Sequence, residues 1–287
     1  MNLKDFMRIF KIEITLLVDM VAVAGFLVNP DYASKLFLLF PLLVTGTAAS
    51  MSAALFNNIY DRDIDPEMHR TQYRATLIND SNFRSFTAIG LILLAFAVVV
   101  SALVINLLTS MFIFLGFLSY VFLYTIFLKR RTTWNIVIGG IAGSFPALAG
   151  WAAVSNSVSL TSVFIAGIVF LWTPTHFWNL AVTQAEDYKK ADIPMLPAVS
   201  GVARAYRWIL INTVVLVLYT LLPLIVKQIN VGPIYVIVAG LLGAVFIAFE
   251  LEPYWSKFSI GSFKRGFHYS NSYLLILLIS LCLVNLV

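Results

Sequence analysis

The chain alternates long apolar runs with short polar breaks, and the length of the runs decides what kind of protein this is. About 17–25 mostly apolar residues suffice to cross a bilayer as a helix. Nine stretches qualify, near 14–29, 36–56, 86–106, 109–128, 134–154, 160–182, 208–226, 232–249 and 268–287. The first is short and carries Asp19. The pattern predicts an all-α integral membrane protein, a single polytopic domain over 1–287 with nine transmembrane helices. Composition agrees: 11% of the residues are charged, where a soluble globular protein has roughly 25%. No charged leader with a small-residue cleavage site stands out, so no removable signal peptide is expected. The lone Cys282 lies in an apolar run and reads as a packed side chain, since one cysteine makes neither an internal disulfide nor a thiolate cluster.

Charge placement orients the bundle. With the N-terminus inside and nine crossings, seventeen of the 19 lysines and arginines fall on the inner side, and only Lys35 and Lys227 fall outside. That bias is the positive-inside rule. It also accounts for the net charge of +5, through cytoplasmic loops facing anionic lipid and without nucleic acid as a partner.

Two inner loops, about 57–85 and 183–207, are the longest and most polar, and each begins with acids where a helix leaves the membrane. The first reads "NNIYDRDIDPEMHRTQYRATL" and the second "QAEDYKKADIPMLP". Asn57, Asp61 and Asp65 are four apart, so a continuing helix would align them about 6 Å from one to the next. Asn58 lies beside that stripe. Pro66 disfavours helical geometry at Asp65, so the helix is expected to end there. Acids at a helix C-terminus oppose the macrodipole unless a cation compensates. Mg²⁺ suits the residues better than zinc, because it takes carboxylate, water and phosphate oxygens, and only His69 is close in sequence. Arginines bind phosphate bidentately, so Asn57, Asp61, Asp65, Arg70 and Arg74 read as a Mg²⁺–diphosphate site. A solvated juxtamembrane loop with internal ion pairs is the other reading. In the second loop Asp187 is the best candidate for a further metal site, and Pro194 and Pro197 are expected to hold the chain extended. His176, inside an apolar run at about mid-depth of the sixth helix, is expected to face the interior.

"NNIYDRDIDPEMHRTQYR" resembles the first aspartate-rich motif of the UbiA superfamily of intramembrane prenyltransferases. The amide at Asn58, where that superfamily usually has an acid, is similar to its haem-farnesylating branch. So are "LKRRTTWNIVIGGIAGSFPALAGWAAV" at 128–154, "FLWTPTHFWNLAV" at 170–182 and "EDYKKADIPMLPAVSG" at 186–201. Departures from the branch are Ala75 and Thr175, where it commonly has proline, and "KIEITLL" near Lys11, where it usually has Lys-Pro. Asp192 also falls one residue beyond the spacing that the superfamily's second motif often keeps from Asp187.

The resemblance implies a multi-pass cell-membrane enzyme with nine transmembrane helices and Mg²⁺ as cofactor. Farnesyl diphosphate and haem B would be its substrates, membrane lipids its surroundings, and a downstream haem-modifying enzyme or terminal oxidase assembly a further partner. It implies catalytic roles for Asp61, Asp65 and Asp187, which with Asn57 would hold Mg²⁺. Diphosphate binding would fall to Lys11, Asn58, Arg70, Arg74, Lys129 and Arg130, and haem contact to His176. Alternatives are a UbiA-type enzyme acting on a quinone precursor or glycerol phosphate lipid, a haem or lipid transporter, and an inactive haem-binding protein.

Overall fold

In lipid a backbone must satisfy its own hydrogen bonds, so apolar runs of this length fold as helices. The structure, a computed structural model, describes residues 3–283, and among these there is no strand. The long helices are α1 Ile12–Leu27, α2 Leu39–Tyr60, α3 Phe83–Val104, α4 Leu107–Leu128, α5 Asn135–Ser155, α6 Leu160–Thr183, α7 Val202–Thr220, α8 Pro233–Trp255 and α9 Ile260–Cys282. Among the described residues seven of them, α2 to α8 with their flanking turns, are long and apolar enough to cross a membrane. Helix α1 has 16 residues, and α9 opens with Lys264 and Arg265 in its first two turns. The end of the last apolar run, residues 284–287, lies outside the described residues.

Two helices start earlier than hydropathy predicts, at Val202 rather than 208 and at Ile260 rather than 268. Hydropathy marks where lipid begins, whereas a helix persists into the interface when basic side chains can reach water. Arg204 and Arg207 on α7 and Lys264 and Arg265 on α9 are placed to do so.

Apolar side chains gain little by leaving lipid for protein, so membrane helices associate through close packing and small residues. The tightest crossing is α1 against α5. A Cβ at Gly25 would lie 2.1 Å from the Ala147 carbonyl oxygen, and one at Gly150 would lie 2.0 Å from that of Ala22. These two helices form a seam. One apolar core on their first side is built with α2, α3 and α4, and another on the far side with α6 to α9. Helix α6 is the most deeply enclosed, packed against α5, α7 and α9. The outer surface carries exposed Leu103, Leu107, Leu218, Ile225, Ile237 and Leu241. A monomer in water rarely presents apolar area of that extent, and it makes this a multi-pass membrane protein.

Candidate active site

Helix α2 ends at Tyr60, earlier than the expected Asp65. Two short 3-10 turns follow, Asp61–Asp63 and Asp65–Glu67, with Pro66 in the first turn of the second. Pro66 disfavours α geometry at Asp65, which instead opens the second 3-10 turn, while the first begins at Asp61 directly after the helix. Asn57, Asp61 and Asp65 therefore do not share one α-helical face, yet all three are buried, at 4%, 1% and 2% exposed.

Their partners come from three other parts of the chain. Asp61 Oδ2 accepts from Lys129 Nζ at 2.5 Å and from Asn57 Nδ2 at 2.9 Å, while Arg130 Nη2 lies 3.6 Å from Asp61 Oδ1. Arg130 also grips Asp63 with two hydrogen bonds of 2.7 Å. Asn57 accepts from Lys11 Nζ and donates to Thr125 Oγ1 at 3.1 Å. Lys11 has a left-handed backbone, φ 49°, at the turn between a short N-terminal helix, Leu3–Ile9, and α1. That turn directs its amine back to the end of α2. Burial, reinforced by repulsion from Arg74, holds the Lys11 amine well below the usual lysine range.

The lower half of α4, Ser119–Leu128, is a π-helix. Such i→i+5 segments are rare and concentrate at functional sites. Wider winding brings Tyr120, Thr125 and Lys129 to one side of the helix. Tyr120 Oη lies 3.5 Å from Lys11 Nζ, and its ring stacks on Tyr124 with centroids 5.8 Å apart. Sequence reading missed both tyrosines and Thr125. The signal was a cluster of hydroxyls, "SYVFLYT", inside an otherwise apolar run.

Asp65 lies 3.6 Å from Arg74 Nη1. Burial raises its carboxyl above the usual aspartate range, against the opposing pull of Arg74. The second acidic loop closes over the first. Ile64 and Met68 pack with Tyr188, Ile193 and Met195, and the charge of Arg70 lies near the Tyr188 side chain. Asp187 sits half-buried on the short helix Ala185–Lys190, without an ion pair among the described residues. The proline-bracketed stretch is not extended throughout, as expected, because Leu196–Ser200 forms a helical turn. Pro197 falls in its first turn, where no N–H is required.

Two predicted residues stand apart. Asn58 is 2% exposed and donates to the Ile9 carbonyl at 2.8 Å. One of its two N–H donors therefore anchors the N-terminal segment. His176 is on α6, in the C-terminal third of the helix and not at mid-depth. Its ring is stacked between Trp172 (centroids 4.2 Å) and Phe267 (4.5 Å), and its Nδ1 pairs with Ser270 Oγ at 2.7 Å. Asp19 on α1 accepts from Thr47 Oγ1 of α2 at 2.7 Å.

Among the described residues no three histidine, cysteine or carboxylate side chains converge as a cage for a metal. Asp61 Oδ1 and Asp65 Oδ2 are nevertheless buried without hydrogen-bond partners. Hard oxygen donors left open in this way suit Mg²⁺, which completes its shell with water and substrate phosphate. They do not suit zinc.

Residues 18–271 match the sequence model of the UbiA prenyltransferase family. The chain is 51% identical over 278 residues to protoheme IX farnesyltransferase 2 of Picrophilus torridus, covering 97% of this chain and 96% of that one. It is 37% identical over 284 residues to protoheme IX farnesyltransferase of Rickettsia massiliae, covering 99% and 92%. The fold is similar to that of digeranylgeranylglyceryl phosphate synthase, with TM-score 0.79 at 17% identity over 99% of each chain. It is also similar to that of a UbiA homologue from Archaeoglobus fulgidus bound to DMAPP and Mg²⁺, with TM-score 0.67 at 16% identity over 96% and 99%. The chain belongs to the UbiA prenyltransferase family.

Proposed function

We propose that this chain transfers a farnesyl group from farnesyl diphosphate to a vinyl group of haem B, making haem O, with Mg²⁺ as cofactor. It works as one polytopic domain of nine spans in the cell membrane, with its N-terminus and both acidic loops on the cytoplasmic side. The likeness to two protoheme IX farnesyltransferases across nearly the whole chain supports the substrates. The observation that carries the reaction class is the acidic crown itself. Two nearly inaccessible aspartates keep one oxygen each unpartnered amid Lys11, Arg74, Lys129 and Arg130.

Asn57, Asp61, Asp65 and Asp187 would hold Mg²⁺, which supplies Lewis-acid neutralisation of the diphosphate. Lys129, Arg130, Arg70 and Arg74 bind the diphosphate oxygens and offset the charge that grows on them as the C1–O bond of farnesyl breaks. Lys11 Nζ, whose burial first and Arg74 second disfavour its charge, gains a reason to keep its proton when the diphosphate arrives. It then donates a hydrogen bond to the departing anion. The apolar bundle keeps water from the allylic cation until the vinyl carbon has attacked C1. On the acceptor side the stacked Trp172, His176 and Phe267 rings offer a flat aromatic wall of the kind a porphyrin packs against. Water then captures the porphyrin-side cation, leaving the hydroxyethylfarnesyl group.

The test is to incubate purified protein with haem B, farnesyl diphosphate and Mg²⁺ and read the porphyrins by mass spectrometry. A Mg²⁺-dependent product with the mass of haem O is expected. Unmodified haem, with diphosphate released only when another acceptor is supplied, would move the chain to a different activity within the family.

A further inference from the structure

One more carboxylate is buried in the bundle, and nothing in the acidic crown uses it. Glu250 on α8 is 0% exposed. Asn179 on α6, also 0% exposed, donates Nδ2 to Glu250 Oε1 at 2.7 Å and to the Thr175 carbonyl at 3.0 Å. No lysine or arginine pairs with Glu250 among the described residues. Glu250 Oε2 and Asn179 Oδ1 remain buried with no partner. Opposite them on α9 stands Gly266, where a Cβ would lie 2.8 Å from Glu250 Oε1 and 3.1 Å from Asn179 Oδ1. Only glycine leaves these oxygens their space.

The pair does not stand alone. One helical turn along α6 from Asn179 is His176, and one turn along α9 from Gly266 is Ser270, the two joined at 2.7 Å. Two polar layers are thus stacked between the same helices, the second bordering the aromatic wall of Trp172 and Phe267. Buried acceptors without donors are costly and call for a water. A water brings two O–H donors, which matches the two orphaned oxygens.

We propose that Asn179 and Glu250 hold the water that adds to the porphyrin-side cation, and that Glu250 accepts its proton. This rests on the haem-farnesylating reading above. In the step the water oxygen forms a C–O bond to the cationic carbon derived from the vinyl group. One O–H bond breaks, its electron pair stays on oxygen, and the proton passes to Glu250 Oε2. The resulting carboxylic acid later loses that proton to solvent. Asp61 and Asp65 are unsuited to this role because cations already engage them, and Asp19 is held by Thr47 between α1 and α2.

The test is Glu250→Gln, which keeps the side chain's shape and removes its basicity, with diphosphate release and porphyrin products measured in one reaction. Asn179→Ala is a second variant, and Glu252→Gln, partly exposed and paired with Arg265, is a control. Expected in Glu250→Gln is continued diphosphate release with haem B, but at least a tenfold shift from haem O towards an adduct lighter by one water. This is the product of a cation that loses a proton instead of gaining hydroxide. Asn179→Ala shifts the ratio in the same direction by less, and Glu252→Gln leaves it unchanged. Haem O formed by Glu250→Gln at the wild-type ratio overturns the proposal, as does loss of diphosphate release in Glu250→Gln and Asn179→Ala alike. If the wild type itself forms no farnesylated haem, it is the haem reading that fails, and the two failures are distinguishable.

Discussion

The two acidic loops look alike in sequence and differ in electrostatics. In the first, Asp61 and Asp65 are almost wholly enclosed, and four cations drawn from the turn before α1, the turn after α4 and the loop itself surround them. In the second, Asp187 is half-buried without an ion pair among the described residues, while Tyr188 beside it packs against the first loop together with Ile193 and Met195. A carboxylate buried among cations is pre-organised for one fixed role, since removing it leaves those cations uncompensated in a low-dielectric site. A half-exposed carboxylate with no partner can move to meet an incoming ion at little cost. On the proposed function, the first loop would serve as a pre-organised half-site and the second would supply Asp187 as the ion arrives.

The comparison can be broken by experiment. Removing Mg²⁺ with a chelator is expected to abolish turnover, reversibly on adding Mg²⁺ back; activity that persists in the chelator would remove the reason for the crown. Asp61→Ala should lower kcat/KM by about 1,000-fold, on the order of 4 kcal/mol, while the protein stays folded in membranes by thermal shift. Asp65→Ala should act in the same way, and full activity in both variants would defeat the diphosphate assignment. Lys129→Met, which strips Asp61 of its closest cation, is expected to cost about 100-fold, in the range measured for a single transition-state donor. His176→Ala should weaken haem B binding about tenfold, or 1.4 kcal/mol, in a titration that leaves the KM for farnesyl diphosphate unchanged. The smallest effect belongs to Asp63→Asn. Its carboxylate is 59% exposed and its pairing with Arg130 is a surface ion pair, worth about 0.2–1 kcal/mol, so turnover should stay within about fivefold of wild type.

Much of this was legible before any coordinates. The carboxylates of the first loop stood out because three aspartates at the end of an apolar run have no structural excuse in lipid. His176 stood out for the same reason. The orphaned pair Asn179–Glu250 did not, although Asn179 lies in an apolar run. Glu250 falls one residue past the run 232–249 and, with Glu252 close behind, reads as the polar end of a helix. The π-helix was also invisible, since the hydroxyls of "SYVFLYTIFL" mark polar positions in the run without specifying how it winds.

The sequence by itself determined the solvent, the helical class and the chemistry that the polar loops carry. Each follows from a local quantity, namely run length, charge bias and residue type within a few turns. Only the tertiary structure decided that Lys11, Asn57, Tyr120, Thr125 and Lys129 meet, and that α6, α8 and α9 enclose an acid with no counter-charge among the described residues. Those groupings join residues tens to more than a hundred positions apart. What sets them is the close approach of helices at small residues such as Gly25, Gly150 and Gly266, where backbone geometry chooses which polar groups face each other across lipid-free space.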